Sequence, residues 1–121
     1  MADTNRAPLS DWQTIWEKIA RWYSVRDSGR IEDFVRQRPL IAKVLADAID
    51  ELPKYFGPQL DVELECVTNP EYEEDDQLFA YIRTSLPAED ALKRLDQLDE
   101  DWFLAKISQL DGAFNFNLQF V

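Results

Sequence analysis

Carboxylates are the residues from which this chain could build chemistry, and they fall in three groups. Asp61, Glu63 and Glu65 alternate with Leu60, Val62, Leu64 and Cys66, so a strand here projects the three acids from one face, neighbours roughly 7 Å apart. Paired acids can serve as general acid and nucleophile on a glycoside, but that needs a cleft and a desolvated, protonated partner, and a flat sheet face offers neither. The run Glu71, Glu73, Glu74, Asp75, Asp76 supplies oxygen ligands suited to Mg²⁺ or Ca²⁺, without the acid spacing or turn glycine of an EF-hand loop. Its plain reading is a hydrated hairpin tip. The third group, Asp96, Asp99, Glu100 and Asp101, sits where a helix is expected to end, opposing the helix dipole and repelling at i,i+4. Either Asp99 lies outside the helix and caps a following turn, or the cluster marks a binding site.

What is missing narrows the field further. The chain contains no histidine, which removes Ser-His-Asp and Cys-His catalysis and imidazole metal sites. Its three glycines, Gly29, Gly57 and Gly112, are too far apart for a Walker loop or a dinucleotide fingerprint. Cys66 is the sole cysteine, so there is no internal disulfide, and its place in the strand pattern suits an inert core thiol. No basic stripe with interleaved aromatics suggests nucleic acid. No enzyme activity, cofactor or metal is expected.

The elements that must position these residues follow from hydrophobic periodicity. Ser10 and Gln13 have capping-box spacing, and Trp12, Ile15, Trp16, Ile19, Trp22 and Tyr23 form a stripe about 120° wide, predicting a helix over Asp11–Asp27 stopped by Gly29. Residues 1–9 are expected to be a loose leader. Ile31, Phe34 and Val35 make a short apolar piece, and Pro39 opens a second helix whose inner face carries Leu40, Ile41, Val44, Leu45, Ala48, Ile49 and Leu52, ended by Pro53 and Gly57-Pro58. The period then drops to two: strands are expected over 60–66 and 78–84, joined by a polar loop over 69–76 as an antiparallel hairpin. Pro87 opens a third helix with Ala91, Leu92, Leu95, Leu98 and Trp102 inward, and Phe114–Phe120 alternates as a last strand. The expectation is a single α+β domain, α-α-β-β-α-β, with a three-stranded, mainly antiparallel sheet in the order 2-1-3 and helices on one face.

Charge divides the domain. Residues 1–54 hold nine acids and nine bases; residues 55–121 hold fifteen acids and four bases, so the excess of −11 lies in the second half. Such a surface repels phosphate backbones and anionic membranes and favours a basic protein. The polar start and the lack of a long apolar run suggest a cytoplasmic chain.

The pieces Tyr55-Phe56-Gly57, Asn69-Pro70-Glu71, Leu78–Thr84, Ala91–Asp96 and Asp99–Trp102, in that order, resemble a group of short uncharacterised bacterial proteins common in cyanobacteria. The likeness covers roughly Ile31 to Val121. It carries no activity, and implies only that Glu71, Thr84, Asp96, Asp99 and Trp102 merit testing. The functional expectation is a non-enzymatic interaction or regulatory module for a basic partner, an antitoxin- or immunity-type inhibitor being one special case. An oligomeric scaffold and, last, a carboxylate- or metal-dependent enzyme are the alternatives. Glu71, Asp96, Asp99 and Trp102, together with Phe79, Tyr81 and Arg83 on the outer sheet face, are the candidate interaction residues. The helix bearing Trp12 and Trp16 is the candidate for self-association.

Overall fold

The computed structural model describes residues 3–69, 72–110 and 112–121, with side chains for 12–68, 76–110 and 112–121. The first helix, α1, spans Asp3–Trp22. It therefore begins well before Ser10, through most of the expected leader; Asp3 and Thr4 are start residues of the same type as Ser10. It also ends earlier than expected, because Ser24–Val25 forms a two-residue strand, β1. Gly29 stops nothing: it lies in the first turn of α2, Ser28–Arg36, which buries Ile31, Phe34 and Val35. In α3, Pro39–Phe56, Pro39 takes the opening turn as expected, but the helix runs through Pro53 and stops at Gly57. Gly57 is the true terminator because its φ of 93° is left-handed, a region a side chain disfavours.

The hairpin is longer than its apolar residues suggest. Strand β2 covers Asp61–Asn69 and β3 covers Tyr72–Thr84, so most of the expected acidic loop is strand. Backbone pairing extends the ladder beyond the apolar alternation, with a register shift between Val67 and Asn69. Glu71 lies outside the described residues, as do the side chains of Glu73, Glu74 and Asp75. After α4, Ala88–Leu98, the chain continues helically through a π turn, Asp99–Phe103, and a short α5, Leu104–Ile107, to the last strand β4, Phe114–Phe120.

The class is α+β, but the sheet has four strands in the order β1-β2-β3-β4 and is mixed. β2 and β3 are antiparallel; β1 runs parallel to β2, and β4 parallel to β3. The expected 2-1-3 order fails for two physical reasons. The edge of β2 that β4 would need is occupied by β1, where Ser24 and Val25 pair with Glu63 and Leu64. The connection through α4 is also long enough for a parallel crossover. Beside β3, Phe114 and Phe116 come opposite Leu78 and Ala80, and the small Ala80 leaves room for aromatic bulk.

The core lies on one face of the sheet. Val62, Leu64, Leu78, Ala80, Ile82, Phe114 and Phe116 meet Ile19 of α1 and Tyr23 just after it, Ile31, Phe34 and Val35 of α2, Leu45 and Leu52 of α3, and Leu98 of α4 in one cluster. Tyr23 donates its hydroxyl to the Leu45 carbonyl at 2.7 Å, so its one polar atom is satisfied inside. The π turn explains how the helix beyond α4 feeds this core. The Leu104 N–H reaches back to the Asp99 carbonyl, widening one turn so that Leu98 and Phe103 both point inward. Phe103 then packs edge-on to Phe114 and Phe116, with centroids 6.1 and 4.9 Å away. Leu92, expected inside, is 52% exposed, and Phe120 at the end of β4 is 51% exposed. Among the described residues no helix is long and apolar enough to cross a membrane.

Candidate interaction face

Strand alternation turns the odd-numbered residues of 61–67 in β2, 77–83 in β3 and 115–119 in β4 away from the core. The register places them in three rows: Asp61–Arg83–Gln119, Glu63–Tyr81–Asn117 and Glu65–Phe79–Asn115. Phe79, Tyr81 and Arg83 are thus brought together as expected, in the middle strand of this face. The Phe79 and Tyr81 rings stack along β3 with centroids 5.9 Å apart and planes inclined 27°. Both remain partly exposed. No residue of this face belongs to the buried core.

The three carboxylates on the face are not equivalent. Asp61 accepts from Arg83 Nη1 at 3.3 Å and from the Ser24 hydroxyl at 3.2 Å. Glu63 accepts from Arg26 Nε, just past β1, at 2.9 Å and is only 12% exposed. Glu65 has no cationic partner among the described residues. Its effect is felt on Tyr81, whose hydroxyl is held above the ordinary value first by burial, then by the charge and hydrogen bond of Glu65 and the charge of Glu63. Arg83 is stretched between roles: Nη1 meets Asp61 while Nε is buried without a protein partner. The face therefore offers two aromatic rings, one uncompensated carboxylate and a row of carboxamides.

The edge of the face is guarded. Leu78 N–H donates to the Ala113 carbonyl and Val121 N–H to Thr84, so odd-numbered backbone groups of β4 point at β3 and even-numbered ones at the free edge. Two of the free N–H groups are met by neighbouring side chains: Phe116 N–H donates to Asn115 Oδ1 at 3.1 Å, and Leu118 N–H to Asn117 Oδ1 at 2.9 Å. An Asn-x-Asn pair on a terminal strand was the sequence signal for this, and it is informative only once the strand is known to be an edge.

The remaining candidates lie elsewhere. Asp96, Asp99 and Trp102 sit on α4 and the π turn, in the helical layer on the core side of the sheet. Asp99 is not outside the helix, as the capping alternative required; the helical chain runs on through it. Burial and then the neighbouring Asp96 raise its carboxyl above the ordinary range. Trp102 turns inward, 6.2 Å from both Phe103 and Phe116, with Lys106 Nζ 5.7 Å from its ring centre. Asp101 is occupied too, accepting from the Tyr55 hydroxyl at 3.0 Å and Gln97 Nε2 at 2.9 Å, while Arg94 Nη1 donates to the Tyr55 carbonyl at 2.9 Å. This cluster ties α4 to the end of α3. Among the described residues no group of three acids or cysteines is arranged to hold a metal ion.

The α1 tryptophans are partly spent on their own domain. Trp12 and Trp16 stack at 6.0 Å and pack against the core; the Trp12 indole N–H donates to Glu32 at 3.2 Å, with Arg36 5.8 Å from its ring centre. Cys66 is half-buried rather than fully enclosed, opening on a cleft beneath α2. No family model matches this chain, and neither a curated protein nor a solved structure matches it.

Proposed function

We propose that this chain is a non-enzymatic, acidic interaction module that takes a basic protein partner on the outer face of its sheet. The observation that carries the reading is the Phe79–Tyr81 stack on a face without core residues, beside Glu65, a carboxylate with no cationic partner among the described residues. Aromatic faces attract cations, by about 0.5–2 kcal/mol each depending on desolvation, and an adjacent carboxylate adds Coulomb attraction. Aromatic residues anchoring a polar surround are also the composition of protein interfaces. The −11 charge supports fast, salt-sensitive encounter with a basic surface. The Asn115 and Asn117 caps argue that the partner lies across the face rather than adding a strand at the β4 edge.

A tagged pull-down from the native host at low and moderate salt, with mass spectrometry, tests this. The expected result is a basic protein recovered stoichiometrically, weakened as salt rises and lost with Phe79→Ser/Tyr81→Ser. A partner retained by that variant but lost with Asp96→Asn/Asp99→Asn would move the interface to α4. A preparation free of partners at both salts would remove the interaction reading altogether.

A further inference from the structure

A second site lies on the opposite side of the sheet, where the hairpin extends beyond the hydrophobic core. Strand alternation puts Cys66 and Asp76 on the core-side face there, and Thr68, at the register shift, bonds Arg30 of α2; the apolar residues have ended and α2 meets the hairpin with polar side chains. A cleft of about 330 Å³ results, lined by Arg30, Asp33, Phe34, Arg38, Cys66 and Asp76. Arg30 spans its floor, bonded to the Thr68 hydroxyl and 3.7 Å from Asp76 Oδ2. Arg38 lies against the Phe34 ring, 3.8 Å from its centre, and uses Nη1 on the Phe34 carbonyl at 3.1 Å.

Two features of this cleft call for a ligand with both signs of charge. Asp76 lines the cleft with its side chain 29% exposed, and its Oδ2, 3.7 Å from Arg30, is beyond hydrogen-bond distance of that guanidinium, so an acceptor remains for a ligand. The Arg38 guanidinium, with one nitrogen committed and one face covered by Phe34, retains further N–H donors, the geometry suited to a carboxylate. The lining holds two guanidinium and two carboxylate groups, so it favours neither a net anion nor a net cation. We propose that this cleft binds a small zwitterion of amino-acid size, its carboxylate on Arg38 and its ammonium group on the exposed part of the Asp76 carboxylate. The volume suits a compact molecule of that kind.

Cys66 supplies a reporter, since it is the only cysteine in the chain and opens on this cleft. The experiment is the rate of Cys66 alkylation by iodoacetamide in the intact protein, with each common α-amino acid in turn and with acetate and methylammonium as half-molecules. A ligand at ten times its dissociation constant that covers the thiol slows the reaction about tenfold. The expected result is such protection by at least one amino acid, absent with either half-molecule, and lost in Arg38→Gln and in Asp76→Asn while their thermal melts match the parent. Equal protection by acetate overturns the proposal in favour of a simple anion site. Protection by no amino acid overturns it in favour of a cleft filled by water, and protection that survives both variants shows binding elsewhere.

Discussion

Removing the Tyr23 hydroxyl should do two opposite things at two pH values. Tyr23 is almost fully buried, and its hydroxyl donates to the Leu45 carbonyl at 2.7 Å. That carbonyl lies within α3 and keeps its place in the helical ladder, so Tyr23→Phe costs a net hydrogen bond, about 1 kcal/mol at pH 7 within a range of 0.5–1.5. Burial also pushes the phenol far above its ordinary value of 10.0. Above that pH the unfolded chain releases the Tyr23 proton and the folded chain keeps it. The folded state then binds more protons, so stability falls as pH rises, by about 1.4 kcal/mol per unit. Phenylalanine has no proton to release and escapes this loss. The stability difference between the two proteins should therefore shrink, vanish between about pH 10 and 11, and reverse beyond. Urea unfolding followed by tryptophan fluorescence at steps from pH 7 to 11.5 reads this directly, and comparing the two proteins cancels the titration they share. A difference that stays constant across that range would mean that Tyr23 ionises as readily in the folded chain as in the unfolded one, which refutes its burial against Leu45.

Two further perturbations test other parts of the structure. Asp99 holds its proton more tightly when folded, because it is partly buried and lies beside Asp96, so its contribution to stability falls as pH rises through and above the ordinary carboxylate range. Asp99→Asn should accordingly raise the urea midpoint at pH 7 by a few tenths of a kcal/mol equivalent, with no gain near pH 3; destabilisation at pH 7 would show that the charged carboxylate has an essential partner. Asn115→Val/Asn117→Val strips the caps from the Phe116 and Leu118 N–H groups and adds β-branched residues to an edge strand. Light scattering should show this variant associating at concentrations where the parent does not, and a strictly unchanged mass would mean that the caps do not protect the edge.

The parts of the fold legible in the sequence are those with a period. The α1 stripe, the inner face of α3 and the alternation of β2, β3 and β4 each repeat often enough to assign type and orientation, and with them the outer grouping of Phe79, Tyr81 and Arg83. Strand order was not legible because pairing β4 with either neighbour leaves the same residues facing inward; only β1, too short to show a pattern, breaks the tie. The π turn was hidden because Trp102 satisfies a 3.6-residue repeat from Leu98, although Phe103 goes deepest. The polar cleft draws Arg30, Arg38, Cys66 and Asp76 from α2, the segment before α3, and two strands, and no spacing rule joins residues so far apart.

The mixed sheet also dictates an order of assembly. Its centre is a hairpin whose strands are close in sequence, while each flanking strand is parallel and distant in sequence: Ser24 must find Glu63, and Leu78 must find Phe114. Loop closure makes the local pairing the cheaper first step, and the two parallel docking events follow once the hairpin offers them an edge. The same order run backwards gives the sequence of opening. In native-state hydrogen exchange β1 and β4 should release their amides at lower free energy than the centres of β2 and β3, which would make the margins the most readily lost parts of the sheet and the strand carrying Phe79 and Tyr81 the most durable.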